Sequence, residues 1–153
     1  MTTCFKSEKA THLLRAAIVM SLLIGATPAS AGLDAFAGDW ITPAGATVRI
    51  GSCGETPCGR IVNFVPPPGF SVENTRDLKN QDTSKRTRKL LGLAVLYELR
   101  EAGRNLQGRV YDPRRGFSAD ATVTASSRDR LTIKGCVRVI FKMCEKETWR
   151  RAR

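Results

Sequence analysis

The sequence predicts an all-β fold, a single small antiparallel β-barrel of about eight strands. Three observations carry that expectation. Apolar and polar residues alternate with a period of two, as in "FSADATVT", where Phe117, Ala119, Ala121 and Val123 fall on one face and Ser118, Asp120, Thr122 and Thr124 on the other; such alternation marks a strand with one wet face. The alternating runs are separated by "GETP", "EAGRN", "YDPRRGF" and "SSRDR", compositions that turn the chain within a few residues. Beyond the first thirty or so positions, no stretch has the spacing of a long helix. Successive strands on short connections form a meander, and closing it into a barrel removes the exposed edges.

The chain opens with a basic segment carrying Lys6, Lys9 and Arg15, followed by the uncharged apolar run "AAIVMSLLIGA" from Ala16 to Ala26. "TPASA" then ends in the small-x-small pattern Ala29-Ser30-Ala31. This is the layout of a cleaved secretory signal peptide over residues 1–31; a membrane anchor needs about 20 apolar residues. A single domain is expected over 32–153, exported to the periplasm or beyond it to the medium, with no transmembrane segment. Removing residues 1–31 takes away Cys4 and His12, the one histidine, together with three basic residues and one acidic residue. The net charge of +11 falls by two to +9.

The strands follow in order. "TVRI" sends Val48 and Ile50 one way. "CGRIVNFV", "LLGLAVLYELR" and "NLQGRVYD" come next, then "FSADATVT". "RLTIKGCV" sends Leu131, Ile133 and Val137 to one face and Thr132 and Lys134 to the other. One connection is long. Pro66 to Lys89 carries no strand pattern over 24 residues, beyond the ~12–15 at which loops usually become functional or disordered. It suggests a helical turn near Thr83–Arg88 and places Lys85, Arg86, Arg88 and Lys89 within five positions.

Four cysteines remain after export: Cys53, Cys58, Cys136 and Cys144. A zinc site calls for tight knuckles, and Cys136/Cys144 is too widely spaced for one. A redox pair calls for C-x-x-C at a helix start, which is absent from the sequence. An oxidising compartment favours disulfides. With "GETP" as a hairpin loop, Cys53 and Cys58 face each other across strands. Cys136 and Cys144 fall on the wet face of a second hairpin, beside Lys134 and Lys142. The expected pairing is 53–58 and 136–144, each worth about 2–3 kcal/mol through chain entropy.

The expected mature chain lacks the histidine that Ser-His-Asp, Cys-His and His-metal chemistry require, and it has no glycine-rich phosphate loop. Carboxylates remain: Asp112 and Asp120 flank one hairpin, and Glu73, Asp77 and Asp82 lie on the long loop. A hydrolase using Asp or Glu is therefore the weaker reading, and no catalytic residue, metal or cofactor is assigned.

Several fragments are familiar together: "GDW", "VRIGSCGETPCGRIV", "DLKNQD", "RTRKLLGL", "GRVYDPRRGFSADATV", "LTIKGCV" and "ETWRR". In this order and spacing the chain resembles the DUF2147 family of exported bacterial proteins from about Asp34 to Arg151. That family has no defined activity, so the resemblance implies fold and location without catalytic residues. In "DPRRGF" a Phe stands where such sequences tend to have Tyr, which loses a hydroxyl. A second resemblance is to lipocalin-like (calycin) barrels. It implies that Gly38-Asp39-Trp40 lies on the first strand and that an Arg from the end of the barrel, Arg150 or Arg151, packs over the Trp40 indole.

The functional expectation is binding without catalysis. A small barrel holds one compact ligand in its mouth, and the basic loop from Asp77 to Lys89 is the expected lid or docking surface. Asp77, Asn80, Arg86 and Arg88 are the candidate ligand-binding residues. The two arginines would offer fork-shaped donors to carboxylate or phosphate, while Asp77 and Asn80 would also order the loop by bonding its backbone. The positive field suits an anionic small molecule, a lipid head group or an acidic polysaccharide rather than nucleic acid, given the export. The alternative is an envelope interaction module with a filled barrel, docking on protein or lipid. An open apolar cup would favour the binder.

Overall fold

Alternation of inward and outward side chains, broken at a few bulges, builds eight strands in the computed structural model, which describes residues 32–153. The signal peptide expected over residues 1–31 lies outside the described residues. The strands are β1 (Gly38–Ile41), β2 (Thr47–Ser52), β3 (Pro57–Asn63), β4 (Ala94–Ala102), β5 (Asn105–Asp112), β6 (Phe117–Ser127), β7 (Arg130–Arg138) and β8 (Lys142–Arg151). Each pairs antiparallel with the next, and β8 returns to β1 to close the barrel. The up-and-down order divides the connections between two ends. The β1–β2, β3–β4, β5–β6 and β7–β8 connections gather at one end, and the three hairpin turns between them at the other.

The second end is filled. Phe36, Trp40, Leu96, Leu99, Leu106, Val123 and Leu131 are almost fully excluded from water, and burying each contributes roughly 1.5–3 kcal/mol. Leu96 and Leu99 both point inward although three positions apart, which strict alternation forbids. A bulge in β4 supplies the extra residue: Glu98 adopts φ +53° and the β4–β5 register shifts between Tyr97 and Arg100. A bulge inserts one residue and bends its strand.

The barrel closes at this end around Trp40. Its indole N–H donates to the Phe36 carbonyl at 2.7 Å. The Arg151 guanidinium lies over the ring, 4.1 Å from its centroid, and donates to the carbonyls of Ala37 at 2.9 Å and Arg128 at 2.7 Å. Gly38 has φ +116°, and a Cβ there would crowd the Arg151 guanidinium. Of the two arginines expected to stack, only Arg151 does so. Arg150 is exposed, because buried Trp149 points into the barrel, residue 151 shares its parity and residue 150 does not.

Both disulfides are present, Cys53–Cys58 and Cys136–Cys144. Cys136 sits directly opposite Cys144 in the β7–β8 ladder. The first pair departs from the expected geometry. Cys58 is opposite Gly51, while Cys53 lies past the end of β2 and donates its N–H to the Thr56 carbonyl at 3.0 Å. The tight turn is therefore Cys53–Thr56, and the bridge runs diagonally.

Arg151→Ala removes a stacked cation and its carbonyl contacts, and it should lower stability by about 2–4 kcal/mol. Arg150→Ala should change stability by less than ~0.5 kcal/mol. Thermal or denaturant melts of the two variants separate these outcomes. In the same assay a reductant should cost several kcal/mol through two short loops, and a chelator nothing measurable.

Candidate functional site

Toward the open end the inward side chains shrink. Ala119 on β6 and Gly135 on β7 line the wall beside Val110 on β5, and a Cβ on Gly135 would already touch Val110 and Ala119. A cavity of ≈ 600 Å³ opens here, walled by Ile61, Val95, Val110, Ala119, Ile133 and Trp149. Its rim is polar. Thr75, Arg76 and Lys79 come from the β3–β4 connection, Arg114 and Arg115 from the β5–β6 turn, and Glu145 and Glu147 from β8.

The rim charges are largely paired. Arg114 bridges Asp112 and Glu147, each at 3.1 Å, and Arg115 reaches Glu145 at 2.9 Å. Asp112 and Asp120, which flank the same hairpin, do not converge: Asp112 holds Arg114, whereas Asp120 is exposed and paired with Arg109 at 2.9 Å. Among the described residues, no group of three or more His, Cys, Asp or Glu side chains is placed to hold a metal ion.

The long connection is ordered by a buried polar cluster. Asp77 is 1% exposed and Asn80 5%. The Tyr111 hydroxyl donates to Asp77 at 2.6 Å, and the Asn80 amide donates both to Asp77 and to the Tyr111 oxygen at 2.8 Å. Arg88 completes the cluster, with Nε and Nη2 each 2.8 Å from Asp77 Oδ2 and its guanidinium over the Tyr111 ring. The Asp77 carboxylate is buried with four donor contacts, which is the condition under which a buried charge is tolerated. Backbone contacts extend the attachment. Arg76 bridges to Lys89, Gln81 N–H donates to the Gly116 carbonyl, and a Cβ on Gly116 would overlap the Lys79 carbonyl.

Three of the four candidate ligand residues, Asp77, Asn80 and Arg88, are thus brought together, but their polar groups are spent on one another and on Tyr111. Arg86 turns its Nε to the Asn80 carbonyl at 2.8 Å, and Lys85 pairs with Asp82 within the one-turn 3-10 helix Thr83–Lys85 and its cap. The Arg88 fork is taken up by Asp77, whereas exposed Arg86 commits only its Nε to the loop. Two contributors were missed from the sequence. Tyr111 has the outward parity of Arg109 and owes its burial to the loop laid over it. Ala119, Ala121 and Gly135 are a run of small inward residues on adjacent strands, a pattern that could have signalled a cavity.

Burial, and then the hydrogen bond to Asp77, push the Tyr111 phenol up to about 12. Because the folded value lies above the ordinary ~10, this group's contribution to stability is complete below about pH 10 and is lost as pH rises through about 12. An alkaline titration of tyrosine absorbance should show a phenol ionising near pH 12 that Tyr111→Phe lacks. Asp77→Ala should cost about 3–5 kcal/mol and expose residues 66–89 to proteolysis.

Comparison with known proteins agrees with this architecture. Protein HP1028 from the human pathogen Helicobacter pylori, described as belonging to the lipocalin family, superposes with a TM-score of 0.63 at 19% identity, covering 76% of this chain and 82% of that one. At that identity the likeness concerns the fold. A search of curated protein sequences finds no match. The model of DUF2147, described as an uncharacterized protein conserved in bacteria, matches residues 38–151. A match running from the first strand through the last, over the residues that close the barrel and those that clasp its loop, assigns the chain: it belongs to the DUF2147 family.

Proposed function

We propose that this is an exported, non-catalytic binding protein that holds one small, largely apolar molecule in the barrel and its anionic group at the mouth. The observation that carries this reading is the open ≈ 600 Å³ cavity with apolar walls and a few charged groups at its rim. Ligand sites commonly occupy about 300–1,000 Å³ with few polar groups that fix orientation, and the mouth of a barrel is one of their usual places. At the rim, Arg76 and Lys79 have no carboxylate partner among the described residues, unlike Arg114 and Arg115. Arg76, whose Nη1 also donates to the Thr87 carbonyl at 2.6 Å, and Lys79 line the cavity, which Arg86 and Arg88 do not, so this reading assigns the anion to them. The filled-barrel alternative is disfavoured by the same cavity. Export to the periplasm is supported by the N-terminal sequence pattern and by two disulfides, which persist in oxidising compartments.

Native mass spectrometry of protein purified from its own host should show a bound small molecule. A fluorescent amphiphile carrying a sulfonate should brighten with the wild type and be displaced by that molecule. Ala119→Phe, which fills the cavity, should abolish the signal while leaving the melting transition. Arg76→Gln with Lys79→Gln should weaken an anionic probe by about tenfold or more and spare a neutral one. A wild type that carries nothing and brightens no probe overturns the reading.

A further inference from the structure

The exposed apolar side chains of this protein are confined to one end. Every exposed large apolar residue among the described residues lies on the β3–β4 connection, as do Val65 and Leu78, or on the β7–β8 hairpin. On the hairpin, Val139, Ile140 and Phe141 are 77–84% exposed and Met143 is 59% exposed. Three consecutive apolar residues cannot all face inward from any strand, and the tip projects beyond the ladder. Its base is held by the Cys136–Cys144 bridge, and its turn closes on itself through Val139 N–H to the Phe141 carbonyl at 3.4 Å.

Along the hairpin segment that carries this tip the charge has one sign. From Arg130 through Cys144 there is no carboxylate, and Arg138 and Lys142 flank the apolar residues. Neither has a carboxylate partner among the described residues. The nearest acids along β8, Glu145 and Glu147, are held by Arg115 and Arg114.

We infer that the open end of the barrel docks on the surface of an anionic lipid bilayer, with Val139, Ile140 and Phe141 entering the interface and Arg138 and Lys142 meeting lipid phosphates. An apolar tip with cationic shoulders matches the acyl boundary and head-group layer of such a surface. The apolar groups come from two separate connections around one mouth, and a bilayer meets such a scattered set without a complementary groove. A hairpin whose ladder runs unbroken to its tip also carries few free backbone groups into the apolar layer. The inference concerns the outer surface and holds whether or not the cavity carries a ligand.

The test is sedimentation of the purified protein with vesicles of phosphatidylcholine alone and with added phosphatidylglycerol. Binding is expected to the mixed vesicles and to fall with salt. Ile140→Ser with Phe141→Ser should weaken it about tenfold or more, and Arg138→Gln with Lys142→Gln about fivefold per charge, with melting unchanged because all four side chains are exposed. In Phe141→Trp, the new indole should shift to the blue with mixed vesicles. Absent binding, equal binding to both vesicle types, or binding untouched by the Ile140/Phe141 variant overturns the proposal. So does a lipid-free dimer that this variant dissociates, which would assign the tip to a second copy of the chain.

Discussion

Closure of the barrel hangs on a narrow seam. The β7–β8 ladder joins nine residue pairs, but β1 and β8 join two, Trp40 with Arg151 and Ile41 with Arg150. Two pairs of backbone partners are a weak join for a sheet, and an open edge would leave donors and acceptors unpaired. The seam is reinforced by side chains. Arg151 stacks on Trp40, reaches the carbonyls of residues just before β1, and draws in the β6–β7 turn through Arg128. The Ala152 N–H extends the seam by donating to the Asp39 carbonyl at 2.8 Å. Gly38 suits this place because its φ is +116° and a Cβ there would crowd the guanidinium. One short motif therefore fixes the first strand, plugs the closed end and shuts the barrel.

With that end shut, the remaining interior is graded by side-chain size. Large aliphatic and aromatic groups fill the closed end, while small Ala119 and Gly135 line the open one. A cavity lined by apolar atoms forgoes contacts its lining could have made. The wall is also braced from outside. The β3–β4 connection is clamped to the β5 wall by Asp77, Asn80, Arg88 and Tyr111, a cluster whose low exposure makes each hydrogen bond costly to lose. The loop that frames the mouth is thereby rigid at its attachment, with its exposed apolar and basic residues at the rim.

The two disulfides divide along the same axis. Cys53–Cys58 staples a turn at the closed end, and Cys136–Cys144 braces the hairpin whose apolar tip overhangs the mouth. The second bridge lies on the outer face, away from the core, so its contribution is to the hairpin's conformational freedom and not to packing. The most solvent-exposed apolar segment of the protein is thus also covalently restrained at its base.

Much of this was legible in the residue pattern. Period two along β2, β6 and β7 fixed which side chains face inward, because a one-residue slip would turn a whole strand inside out. The cysteine spacings, in two short-range pairs, were sufficient for the pairing. The choice between Arg150 and Arg151 was decidable from parity once Trp149 was counted as inward. What the sequence did not determine was anything set by the folded path of the long connection. Tyr111 has the parity of an exposed residue and becomes buried only where that loop crosses it. Arg86 and Arg88 read as free cations and become partners of the loop's own carbonyl and carboxylate. Local patterning records which face of a strand is covered, and it is silent on what a 24-residue segment without periodicity will lie against. That was decided in three dimensions, where one buried carboxylate needed four donors and found them on both the loop and the wall.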